Sequence, residues 1–134
     1  MDMQAFVVSY LETALWSSTD NGYFGANDRR NNKRGQENGG EPLDKNFSIE
    51  DIGDATRKQA ETDCAHFVEM AGAKLEGLDA NRVAHDFWLT RNGHGAGFWD
   101  GDYAEPLGTE LTKLSKTFGS FDLYVGDDGK VYGQ

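Results

Sequence analysis

Residues 85–103, HDFWLTRNGHGAGFWDGDY, hold two of the three histidines and two of the three tryptophans in the chain. His85, His94, Asp86, Asp100 and Asp102 are residue types that supply a general base, a general acid or metal ligands. His85, Arg91, His94 and Asp100 could also line a polar binding cleft over an aromatic floor. The spacings complete no catalytic pattern. His85 and Asp86 are adjacent, so they share no helix face. Position 89 is leucine, so no HExxH-like pair forms, and neither a nucleophile elbow, a Walker loop nor a CxxC set occurs. Asp100 and Asp102 lack the third ligand, the glycine and the terminal glutamate of a calcium loop. No residue is therefore assigned as catalytic. His85, His94, Asp100 and Asp102 are the candidates, with no metal site and no cofactor expected.

The same residues also suit a corner where a helix gives way to a sheet. Gly93, Gly95 and Gly97 permit positive φ and close backbone approach. On this reading Trp88, Phe98 and Trp99 are buried, Gly95 or Gly97 has positive φ, and the His94 imidazole bonds a helix-end carbonyl. GAGFWDGDY then reads as a short strand.

The elements that must position this stretch are mostly helical. Phe6, Val7, Tyr10, Leu11, Ala14 and Leu15 recur at three and four, which predicts a helix over residues 2–16 capped by Asp2. Ser48 and Asp51 form a capping-box-like start to a second helix over 54–76. Ala60, Cys64, Phe67, Val68, Ala71 and Leu75 form its buried stripe, and Arg57 can pair with Glu61 on its outer face. Asp79 caps a third helix over 80–91, with Val83, Ala84, Phe87 and Trp88 inward. Pro106 starts a fourth, whose face is Leu107, Leu111, Leu114 and Phe118, and Gly119 ends it. Residues 121–125 and 130–132 flank GDDG, which is hairpin chemistry. The expected fold class is α+β: one small domain over 1–134, about four helices and a two- or three-stranded antiparallel sheet with a C-terminal hairpin.

Residues 20–46 depart from this pattern as a Gly/Asn-rich loop, too long for an ordinary connection. Arg29, Arg30, Lys33 and Arg34 cluster there. The chain carries a net charge of −10, and setting those four cations aside leaves −14 on the remainder. Such a body repels nucleic acid and anionic membranes, so direct binding to either is not expected. It suits a partner with a basic surface. The carboxylates of Glu50, Asp51, Asp54, Glu61 and Glu69, along the start and outer face of the second helix, are the expected contacts, joined by the four loop cations. Cys64 stands alone, which excludes an internal disulfide and fits a reducing compartment. No basic leader or spanning apolar run is seen, so a cytoplasmic location is expected.

HDFWLTRNGHGAGFWDGDY, LTKLSKTFGSFDLYVGDDGKVY, YLETALWSSTD and EPLDKNFSIEDI together resemble a family of small proteins encoded by bacteriophages and mobile elements. The likeness covers nearly the whole chain except about residues 21–39, which look like an insertion. It implies a genomic setting and the cytoplasm of a bacterial host, and carries over no catalytic residue. The expected function is an acidic binding protein that inhibits a host defence complex of the anti-CRISPR or anti-restriction type. The expected partner is a host protein or nucleoprotein complex. Two alternatives are a small enzyme or ligand-binding protein using a His/Asp site in residues 85–102, and a structural or housekeeping phage protein.

Overall fold

The computed structural model describes residues 1–20, 41–94, 96–99 and 103–134. Helix α1 (Met3–Ser17) begins where the Asp2 carboxylate accepts the Gln4 and Ala5 N–H groups at 3.0 and 3.3 Å. These are two of the donors a helix start leaves without intrahelical partners. Its buried face holds Phe6, Tyr10, Leu11, Ala14 and Leu15, as the spacing predicts, with Val7 only partly covered. Short strand β1 (Thr19–Asp20) pairs antiparallel with β2 (Glu41–Pro42). Residues 41–46, read from sequence as loop, are built in. A 3₁₀ turn (Leu43–Lys45) buries Leu43, whose N–H donates to the Ser18 carbonyl at 2.9 Å. The four basic residues expected to act with them, Arg29, Arg30, Lys33 and Arg34, lie outside the described residues, as do Asp100 and Asp102.

A second 3₁₀ turn (Ile49–Asp51) leads into α2 (Asp54–Ala71). The Ser48 N–H donates to the Asp51 carboxylate at 2.8 Å, the reciprocal bond that the capping spacing calls for. Helix α3 (Ala80–Arg91) follows a 3₁₀ turn (Gly72–Leu75), and α4 (Leu107–Lys116) follows Pro106. Strands β3 (Leu123–Val125) and β4 (Val131–Gly133) form the antiparallel hairpin, with Tyr124 opposite Tyr132. Ile52 adds a parallel bridge to Val131, and the Gly53 N–H donates to the Val131 carbonyl at 2.9 Å. The hairpin is thereby docked on the start of α2. The α+β class holds. The strand read at GAGFWDGDY does not: residues 96–99 bend without pairing.

The buried side chains form one cluster in which α1 lies along α3, with α2 and α4 beside them. Phe67 stacks on Phe87 with ring centroids 4.1 Å apart, and Tyr10 meets Trp88 edge-on at 5.3 Å. Both arrangements suit the ring quadrupoles. At one end of this cluster sits a guanidinium. Arg91 Nε donates to the Gly119 carbonyl (2.8 Å) and Nη2 to the Phe118 carbonyl (3.0 Å). Its Nη1 donates to the Tyr10 hydroxyl (2.8 Å) and the Asp63 carboxylate (2.9 Å). The rings of Phe87, Phe118 and Phe121 lie 5.7, 5.6 and 5.5 Å from its Cζ. Arg91 thus joins α1, α2, α3 and the end of α4. The polar-cleft role read for it from sequence is corrected: the residue is buried and its donors are spent internally.

The corner after α3 forms as expected on one side and differently on the other. Trp88 and Phe98 are buried, and Gly97 has φ of 152°. A Cβ on Gly97 would collide with the Thr90 side chain, whose hydroxyl accepts the Phe98 N–H at 3.1 Å. Trp99, expected to be buried, is 52% exposed, because the bend at 97–99 turns successive side chains apart instead of returning both to the core. The carbonyl role read for the His94 imidazole falls to the backbone and to Asn92. The His94 N–H donates to the Leu89 carbonyl at 3.0 Å, and the Asn92 amide donates to the Trp88 carbonyl while accepting the Phe121 N–H.

Breaking one partner of a buried, hydrogen-bonded ion pair typically costs about 3–5 kcal/mol. Arg91→Lys keeps the charge but replaces a planar fork with a point donor that cannot serve four acceptors. It is therefore expected to lower unfolding stability by about 3 kcal/mol, measured by urea titration. Gly97→Ala is expected to cost about 1–3 kcal/mol through backbone strain and the Thr90 collision. An unchanged urea midpoint for that variant would contradict the close approach of residues 90 and 97.

Candidate functional site

Helix α1 presents a second stripe on the side away from the core. Val8, Glu12 and Trp16 recur every fourth residue, so they share a face, and all three are exposed. Trp16 is 55% exposed, although an indole gains much from burial. Beside this ridge the two 3₁₀ turns and the start of α3 leave a cleft of about 550 Å³. Glu12, Trp16, Asp44, Phe47, Asn81 and His85 are among its lining residues. No lysine or arginine lines it among the described residues.

The His85 ring is held from two sides. Its Nδ1 lies 3.1 Å from Thr13 Oγ1, and its ring packs at 5.7 Å against the Trp16 indole with a tilt of 36°. The Thr13 hydroxyl already donates its one proton to the Ser9 carbonyl at 2.8 Å. Toward His85 it can only accept, so in the neutral imidazole Nδ1 carries the proton and Nε2 keeps the lone pair. This assignment has a chemical consequence. Thr13 cannot be a nucleophile activated by His85, because that requires the hydroxyl proton to point at the imidazole. The pair is an orienting contact. It leaves Nε2 as a hydrogen-bond acceptor on a residue that lines the cleft.

A smaller depression of about 260 Å³ is lined by Trp16, Ser17, Leu89, His94 and Ala96. The two candidate histidines thus face separate hollows that share Trp16 as a wall, and they converge on no common reacting point. Asp86, considered with them, is buried and accepts the Tyr103 hydroxyl at 2.6 Å. Burial, and then the Asp86 carboxylate, push the Tyr103 phenol well above its ordinary range, so it stays a donor. Among the described residues no group of three His, Cys, Asp or Glu could hold a metal ion. Cys64 is fully buried, and burial, reinforced by Asp63, pushes its thiol up, away from the reactive thiolate.

The carboxylates read as binding residues lie in the 3₁₀ turn before α2 and on α2. Glu50, Asp54, Glu61 and Glu69 are exposed, and Asp51 is half-buried by its bond to Ser48. The Ser48 hydroxyl donates to Glu50 at 2.7 Å and holds that carboxyl below the usual glutamate range. The row is not uniformly acidic, since Arg57 and Lys58 fall within it. Arg57 turns to the Ile49 carbonyl at 2.6 Å rather than along α2 to Glu61, correcting the expected pair. Glu61 borders a groove of about 480 Å³ floored by Val7, Leu11, Ile49 and Ala65. Ile49 lines both this groove and the Trp16 cleft, so the two hollows adjoin, and Arg57 also lines the groove.

No family model, curated protein or solved structure matches the chain. The site is therefore defined by its own geometry. Trp16, Glu12, Thr13 and Asp44 were not singled out from sequence. A tryptophan displaced from the buried stripe of α1 was the available signal, but Asp44 and His85 join it only through tertiary packing.

Nitrogen NMR provides a direct check. At mildly alkaline pH the His85 ring is expected to show a protonated Nδ1 and a bare Nε2. Thr13→Val, which removes the acceptor, should move the ring toward the Nε2–H tautomer. A wild-type ring already in that tautomer would refute the assigned proton positions.

Proposed function

We propose that this chain is an acidic binding protein that inhibits a host defence complex of the anti-CRISPR or anti-restriction type by protein–protein contact. It would act in the bacterial cytoplasm and dock on a basic surface that otherwise receives nucleic acid. The observation that supports the reading is the exposed Trp16 on α1, beside a cleft lined by Glu12 and Asp44 and, among the described residues, by no lysine or arginine. An exposed large aromatic beside polar and charged groups is a feature of contact surfaces. The carboxylates would stand in for phosphates, with Asp51 and Glu69 extending the row. Arg29, Arg30, Lys33 and Arg34 would reach acids of the partner or of the chain itself. The resemblance to small phage-encoded proteins supplies the setting. Direct nucleic-acid binding does not belong to this reading, since −14 surrounds the four cations.

A ligand-binding reading retains one favourable observation, the bare Nε2 of His85 on a cleft of about 550 Å³. The hydroxyl in reach of that ring, Thr13, has its proton committed to the Ser9 carbonyl.

The test is competition on a captured partner. The chain is expected to retain a nucleic-acid-binding complex from a bacterial host in stoichiometric amount and to displace labelled nucleic acid from it. Retention should weaken as salt rises. Charge reversal of Glu50, Asp51 and Asp54 together should weaken it roughly tenfold or more. Partner and nucleic acid bound together undisturbed, with the triple reversal silent, would defeat the proposal.

A further inference from the structure

We propose that the Trp16 cleft is a receptor for a single arginine side chain of the protein partner. The proposal rests on the docking reading above and specifies what the partner inserts. The argument begins with charge. Glu12 and Asp44 line the cleft, and no lysine or arginine does so among the described residues, so a cation is the favoured occupant and an anion is disfavoured. The shape then selects among cations. Leu15, Phe47 and Ile49 supply apolar wall for a hydrocarbon stem. The indole touches the His85 ring and is 55% exposed, which leaves ring surface for a planar cation to stack on.

Acceptors predominate among the polar groups of the cleft, with the Asn81 amide nitrogen a donor. In the neutral ring the Nε2 of His85 accepts, and two carboxylates also only accept. Asn81 Oδ1 is occupied by the Ser9 hydroxyl at 2.7 Å. An occupant with several donors in a plane satisfies this set. Guanidinium has five donors and stacks on aromatic faces, whereas ammonium is compact and strongly hydrated. Arginine is therefore favoured over lysine. A cleft of about 550 Å³ accommodates the side chain without a change of backbone.

The probes are a capped tri-arginine peptide, a capped tri-lysine peptide, a capped tri-citrulline peptide and free arginine, each titrated into the full chain. The Trp16 indole and His85 ring signals are followed by NMR. Tri-arginine is expected to move both signals and to bind more tightly than tri-lysine, with tri-citrulline inert. Trp16→Ala and the pair Glu12→Gln with Asp44→Asn should each weaken tri-arginine binding roughly tenfold. The pair Glu76→Gln with Asp127→Asn, which removes the same charge from exposed positions away from the cleft, should leave it unchanged. Equal losses in both pairs would mean diffuse attraction to an acidic protein and would overturn the proposal. Still Trp16 and His85 signals would overturn it as well. Free arginine binding as tightly as the peptide would assign the cleft to a small molecule instead of a partner's side chain. None of these outcomes depends on the captured complex, so failure of the cleft and failure of the docking reading are seen separately.

Discussion

A charged guanidinium inside the fold is the constraint around which the rest of the structure is arranged. Arg91 is buried at the last turn of α3, where bringing a charge out of water carries a large desolvation penalty. The chain offsets it with one carboxylate, one phenol and two carbonyls, taken from three other parts of the sequence. Burial, only partly countered by Arg91, pushes the Tyr10 phenol up, so it remains a neutral dipole beside the cation. Because those partners come from α1, α2 and the end of α4, satisfying one side chain fixes where four helices meet. The aromatic rings around it keep water from the pair and present their faces to the cation.

That arrangement dictates the corner beyond α3. With the Phe118 and Gly119 carbonyls held by Arg91, the chain after α4 must pass close to the end of α3. Asn92 then bridges the Trp88 carbonyl to the Phe121 N–H and delivers the chain into the hairpin. On the other branch, Thr90 accepts the Phe98 N–H, and Gly97 allows the approach. The Trp88 indole N–H finds the Ser17 hydroxyl at 2.7 Å, tying the corner back to α1. Of the polar groups that make residues 85–103 look like a catalytic stretch, Arg91 holds helix ends together and Asp86 accepts the Tyr103 hydroxyl.

Among the described residues, two hollows run along α1. The helix divides its faces: one packs on α3 around Phe6, Tyr10 and Ala14, and the other carries Val8, Glu12 and Trp16 to solvent. The 3₁₀ turns before α2 raise a wall opposite that ridge, and Asp44 and Phe47 come with them. His85 is the one member of the histidine-rich stretch that contributes to this larger cleft, because it lies on the side of α3 nearest α1. Its orientation is set by Thr13, whose own proton is committed to the preceding turn.

The local elements were legible in the sequence because their causes are local. The Asp2 cap, the Ser48–Asp51 reciprocal bond, the 80–91 helix, the Gly119 stop and the GDDG hairpin each depend on residues within a few positions of one another, and all form where expected. The buried stripe of α2 follows from its period alone, with Val68 at the margin. Long-range partners were not legible. Nothing near Arg91 in sequence announces that Asp63 and Tyr10 will enclose it, so it read as part of a polar cleft. Trp99 read as core because aromatic residues bury well, but its direction is decided by one bend after Gly97. Trp16 and His85 lie far apart in the chain and become a site only when α1 and α3 pack. Periodicity and capping report the free energy of short segments, whereas a cleft is space left over when several such segments satisfy a buried charge together, and only the assembled fold determines its walls.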